Sequence, residues 1–103
     1  MNDKMNIIKN YNEKELTLSV EGRIDTITSQ ELDDEINDEL GNFDSLIMDF
    51  SDLDYISSAG LRVLISTQKK LKHDDIPFVI INVNDTIGGI FRISGFDKVL
   101  KIE

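Results

Sequence analysis

Three short apolar runs, 45–50 (SLIMDF), 78–83 (FVIINV) and 98–102 (KVLKI), each follow a stretch that repeats its apolar residues at helical spacing. That alternation is the strongest constraint on the fold. Strands separated by helices of ten or more residues must be joined by βαβ crossovers, which build a mostly parallel sheet. A run without polar alternation suits a strand covered by neighbouring layers.

The helical stretches can be placed from their spacing and their end signals. Leu32, Ile36 and Leu40 recur at i, i+4 and i+8 and form one apolar stripe, with Gly41 as the stop. Thr28 or Ser29 can cap this helix, and Glu31 or Asp33 suits the positive end of its dipole. A second helix is expected from about Ser58 to Lys72, with Leu61, Leu64, Ile65 and Leu71 inward. A third contains Ile87, Ile90, Phe91 and Ile93, is capped by Asn84 or Asp85 and ends at Gly95.

Upstream, 5–10 (MNIIKN) and 15–21 (ELTLSVE) read as a hairpin. Leu16, Leu18 and Val20 alternate with polar residues, Tyr11 to Lys14 supply the turn, and Gly22 breaks the strand. The segment Ser51 to Ser57 reads as a polar loop. The expected order is β-β-α-β-α-β-α-β over one domain, residues 1–103, an α/β fold with a mixed, mostly parallel sheet.

Composition removes several function classes. The 103 residues include no cysteine, so disulfides and thiolate metal sites are absent, and a reducing compartment fits. Hydrophobic residues at 40% are enough for a core without a metal or a cross-link. No apolar run nears the ~20 residues of a membrane span, and MNDKMNIIKNYNEKE lacks the apolar stretch of a secretory signal. A cytoplasmic protein with no membrane association is expected.

Net charge is −9 and unevenly spread: residues 1–52 hold 14 acids and 4 bases, residues 53–103 hold 6 acids and 7 bases. Glu31, Asp33, Asp34, Glu35, Asp38 and Glu39 form either a solvated helix face or a patch that steers a basic partner. Nucleic acid is excluded as a partner, because phosphate contacts need clustered cations. Lys69, Lys70 and Lys72 fall late in a helix, where they favour the negative end of its dipole. Scattered carboxylates imply no metal site, and no Gly-rich loop carries a lysine for nucleotide phosphates, so no cofactor is expected. His73 is the only histidine. About 15 helical residues at ~1.5 Å each place it ~20 Å from Ser58, which leaves a serine hydrolase without a base.

Gly88-Gly89 either marks a close approach of the third helix to the sheet or presents an apolar edge.

The most informative stretch is 52–61 (DLDYISSAGL), between a buried strand and a helix start. Functional loops of α/β sheets gather at the carboxyl ends of strands. A phosphate on Ser58 would add about −1.5 to −2 charges where the helix dipole tolerates an anion. Equally, Ser57 or Ser58 can be a plain N-cap, and Gly60 a close-packing residue.

The segment DLDYISSAGLRVLI resembles the signature loop and helix of STAS domains, specifically stand-alone anti-sigma factor antagonists. Gly22-Arg23-Ile24-Asp25 is similar to that family's Gly-x-Leu/Ile-Asp turn, and Ser57-Ser58-Ala59-Gly60-Leu61 to its phosphoacceptor motif. The resemblance implies helices packed largely on one face of the sheet and a protein-binding switch that is not an enzyme. It implies phosphorylation at Ser58, with Ser57 as the alternative, and a partner-binding surface holding Asp25, Asp54, Ser57, Ser58 and Gly60. The implied partners are an anti-sigma factor that is also a serine kinase and a metal-dependent serine phosphatase. Well-studied relatives carry aspartate before the phosphoserine, where this chain has Ser57. A STAS module in a stressosome-like or lipid-transport complex is the alternative.

Overall fold

The computed structural model describes residues 4–103. Strand β1 (Asn6–Asn12) and strand β2 (Glu15–Ile24) form the opening hairpin in antiparallel register, with Ile7 opposite Val20 and Asn12 opposite Glu15. The turn is tighter than the sequence suggests: only Glu13 and Lys14 lie outside the strands, and Glu13 takes φ +57°. Helix α1 (Thr28–Glu39) leads to strand β3 (Ser45–Asp49), and a fourth strand, β4 (Leu53–Ile56), follows at once. Helix α2 (Ser58–His73), strand β5 (Phe78–Ile81), helix α3 (Asp85–Ser94) and a single 3-10 turn (Phe96–Lys98) complete the chain.

The sheet is ordered β1-β2-β3-β5, with β4 beside β2. β2 pairs in parallel with β3, and β3 with β5, so the expected mixed, mostly parallel sheet is present. Leu16, Leu18 and Val20 of β2, Leu46 and Met48 of β3, and Phe78 and Ile80 of β5 point to one face and are buried. α1 and α2 lie side by side on that face and add Leu32, Ile36, Leu61, Leu64 and Leu71 to the same core. Lys9 of β1 pairs with Glu35 and Glu39 of α1, and the Tyr11 hydroxyl donates to Glu39 at 2.6 Å. Such solvent-exposed pairs fix α1 against the hairpin edge more than they stabilise it.

Four expectations need correction. The segment Ser51 to Ser57 is not all loop, because Leu53–Ile56 pairs in parallel with the far end of β2: Arg23 lies opposite Tyr55 and Ile24 opposite Ile56. Gly22 does not end β2. It sits inside the strand at φ +87°, with the register shifting beside it. That bulge turns the ten-residue strand away from β3 and towards β4. A Cβ there would lie 2.2 Å from the Lys4 carbonyl oxygen, so only glycine fits.

The stretch 98–102 is not a strand. The N–H groups of Val99 and Leu100 bond back to the Phe96 carbonyl, leaving one bridge between Ile102 and Ile80. Leu40, expected on the apolar stripe of the first helix, is instead its C-cap and is 38% exposed. At Gly88 and Gly89 an added Cβ would meet no backbone within 4 Å, so the pair marks no close approach to the sheet.

Candidate functional site: the serine loop at the head of the second helix

β2 and β4 run in parallel and end side by side, which brings two sequence motifs together. The Ser57 N–H donates to the Ile24 carbonyl at 2.8 Å, extending the β2–β4 ladder to the last residue before α2. Asp25 therefore leaves the sheet beside Ser57 and Ser58. The site is the joint carboxyl end of these two strands, with the start of α1 on one side and the start of α2 on the other.

The two serines have different jobs in the fold. Ser57 is the N-cap of α2, in extended conformation, and its Oγ accepts from the Gly60 N–H at 3.2 Å. Ser58 is the first helical residue. It is exposed, and its hydroxyl has no hydrogen-bond partner among the described residues. A substituent on Ser58 thus meets solvent, whereas one on Ser57 displaces a cap.

Gly60 is buried where α2 meets the strands. A Cβ at this position would lie 2.6 Å from Ile24 Cγ2 and 2.8 Å from Ile56 Cγ1. The glycine lets the first turn of α2 sit directly on the ends of β2 and β4. Its place in the site is to set the height of the serine loop.

Asp25 is the cap of the neighbouring helix. Its Oδ1 accepts from the N–H groups of Ile27 at 3.0 Å and Thr28 at 2.8 Å. The Thr28 hydroxyl accepts from the Asp25 N–H and lies 2.8 Å from the Arg23 carbonyl. The Thr28 N–H and then its hydroxyl hold the Asp25 carboxyl below the usual carboxylate range. Thr28 and Ser29, expected as caps, are instead helical and buried. Among the described residues every hydrogen bond to the Asp25 side chain goes to Oδ1, so Oδ2 remains available to a partner.

Asp54 is exposed on β4. Arg23 and Tyr55, which face each other across the β2–β4 pair, form a cation–π contact with the guanidinium 4.4 Å from the ring centre. Ile27, between Asp25 and α1, is 78% exposed. Asn84 caps α3 through Ile87 N–H at 2.9 Å and donates to the Leu53 carbonyl at 2.8 Å, which ties α3 to β4.

Sequence reasoning passed over Ile27, Tyr55 and Arg62. An apolar residue inside the polar turn 25–28 is the signal for Ile27. For Arg62 it is the four-residue spacing from Ser58.

His73 closes the helix that Ser58 opens, so the two stand a helix length apart. No cluster of three or more carboxylate or histidine side chains suited to a metal ion occurs among the described residues. No helix among them is long and apolar enough to cross a membrane.

A profile of the STAS domain matches residues 5–103. The chain belongs to the STAS-domain family. An anti-sigma-B factor antagonist of Staphylococcus aureus is 27% identical over 100 residues, 95% of this STAS chain and 92% of that protein. Among solved structures, an anti-sigma factor antagonist from Mycobacterium paratuberculosis superposes with a TM-score of 0.88 at 23% identity, covering 97% of this chain and 86% of that one. The antagonist SpoIIAA, 15% identical, matches in its unphosphorylated form with a TM-score of 0.80 over 95% of this chain and 88% of that one. Its phosphorylated form from Bacillus matches at 0.75 over 95% and 91%. At these identities the structural likeness is one of STAS fold.

Proposed function

We propose that this STAS protein is an anti-sigma factor antagonist that works by switching partners. In its unmodified state the surface formed by Asp25, Ile27, Asp54 and Ser58 binds an anti-sigma factor that is also a serine kinase, which releases a sigma factor. The kinase transfers the γ-phosphoryl group of ATP to Ser58. The Oγ–P bond forms, the bond to ADP breaks, and the hydroxyl proton leaves to the kinase. The complex then dissociates, and a metal-dependent phosphatase restores the serine by hydrolysis. Such a cycle belongs in the cytoplasm.

The observation that carries this reading is the division of labour between the serines. Ser58 offers an exposed, unclaimed hydroxyl, while its neighbour holds the helix. A phosphate on Ser58 adds about −1.5 to −2 charges beside the half-buried Asp25 and the exposed Asp54 without removing a bond from the fold. The cost falls on a docked protein, where each ~1.4 kcal/mol of repulsion or lost pairing weakens binding tenfold.

The test is incubation with ATP and a candidate kinase, followed by intact-mass measurement and site mapping. One added phosphate on Ser58, absent from Ser58→Ala, supports the reading. Phosphate on Ser57 or on neither serine contradicts it, as does capture of a transporter ATPase in place of a small kinase.

A further inference from the structure

Ser58 and Arg62 stand four residues apart on α2, and both are exposed. Residues at this spacing share a helix face, with Cβ atoms about 5–6 Å apart. Every Cα–Cβ bond of a helix tilts towards its N-terminus, so Arg62 leans back over the turn that Ser58 begins. An anion four residues before a cation is the favourable order. The Arg62 guanidinium has no hydrogen bond, ion pair or ring contact among the described residues.

We propose that Arg62 is the residue that receives the phosphate carried on Ser58, closing an intrahelical Ser58–Arg62 clamp in the modified protein. The proposal rests on the phosphorylation reading above and names how that site is held once modified. In the unmodified chain Arg62 lines a polar groove between α1 and α2 with Ser29, Gln30, Asp33 and Ala59. Closing the clamp withdraws a cation from that groove, so a partner meets both a new dianion and a lost positive charge. Arg is suited to the role, because its planar fork can give two parallel hydrogen bonds to a phosphate.

Two other cations, Arg23 and Lys69, are worse placed. Arg23 is already stacked on Tyr55. Lys69 lies seven residues beyond Arg62 on the same helix, about 10 Å further along the axis. The charged groups of the elements that meet at this end of the sheet are Asp25 and Arg23 of the β2 end, Asp54 of β4 and Asp33 of α1. The three acids oppose the second ionisation of the phosphate, and Arg62 works against them.

The test uses the full chain with phosphoserine installed at position 58 by genetic encoding, followed by phosphorus NMR titration. The second ionisation of phosphoserine lies near pH ~6. Arg62→Gln is expected to raise it by about 0.3–0.5 unit relative to the unsubstituted chain, on the scale of a charge-assisted i, i+4 pair. Arg62→Lys recovers part of the difference, and Arg23→Gln shifts it less than Arg62→Gln does. The melting temperature of unphosphorylated Arg62→Gln is expected to match that of the unsubstituted chain. The proposal is overturned if Arg62→Gln leaves the ionisation in place, or if Arg23→Gln moves it further. Because no kinase is used, neither outcome bears on which serine a kinase selects. Mass mapping with a kinase tests that separately.

Discussion

The Oγ of Ser57 accepts the Gly60 N–H at 3.2 Å, and this one bond sets the chemistry of the loop. It draws Ser57 into the helix cap and leaves Ser58, the next residue, facing solvent. At position 57 the same capping geometry is open to an aspartate, since Asp and Ser are comparable N-caps. The exchange alters the charge beside Ser58 while keeping the turn.

Ser57→Ala is therefore expected to lose about 1 kcal/mol of stability, the usual cost of a missing N-cap, and to lower the melting temperature by ~4–8 °C. Ser57→Asp should keep the cap and lose little. Thermal denaturation of the two variants checks this, and equal losses would show that the cap is not what Ser57 supplies.

Gly60→Ala sets two effects against each other. Alanine gains up to ~1 kcal/mol of helix propensity, but its methyl group would press on Ile24 and Ile56 at 2.6 and 2.8 Å. Overpacking of this kind costs about 1–3 kcal/mol, and a β-branched neighbour has little freedom to yield. A net loss of about 1–2 kcal/mol is expected in denaturant unfolding. A stabilised variant would mean that α2 does not rest on the strand ends as described.

Asp25 should make stability depend on pH. Its carboxyl is held below the ordinary range in the folded state, first by the Thr28 N–H. Its contribution is therefore fully present above the unfolded value of ~3.9 and is lost as pH falls through the lower folded value. Asp25→Ala should melt a few degrees below the unsubstituted chain at pH 7. The gap should shrink as the pH is lowered from ~3.9 through the folded value. A gap that stays constant with pH would remove the cap role from this carboxylate.

Much of this was legible before any coordinates, and the failures have physical causes. The period-2 run Leu16, Leu18 and Val20 and two of the three stripe residues, Leu32 and Ile36, fell where the sequence placed them, because each buries one face against the same core, whereas Leu40 lies past the helix end. β4 was hidden because Asp54 and Tyr55, its two middle residues, are exposed, so no alternation marks it. It exists because the bulge at Gly22 frees the end of β2 for a new neighbour. The run 98–102 looked like a strand from apolar content alone, but its N–H groups are taken by the turn at Phe96. Asp25 was singled out by its motif, not by the search for a cap. Its capping bonds reach forward to Ile27 and Thr28, so the search for a cap started too late in the chain.

Ile27 is the apolar residue most exposed beside the serine loop. Ile27→Ser is expected to change folding stability by no more than ~0.5 kcal/mol, as surface substitutions do. It should weaken binding of the kinase partner about tenfold, the scale of an apolar anchor at an interface. Unchanged affinity would place the docking surface elsewhere.

The most direct measurement is calorimetric titration of a cognate anti-sigma factor kinase with two forms of this chain, one carrying serine and one carrying phosphoserine at position 58. The expected result is a loss of affinity of at least about a hundredfold, near ~2.8 kcal/mol, with the circular dichroism spectrum unchanged. Equal affinity for the two forms, or a phosphorylated chain that has lost its helices, would contradict the account.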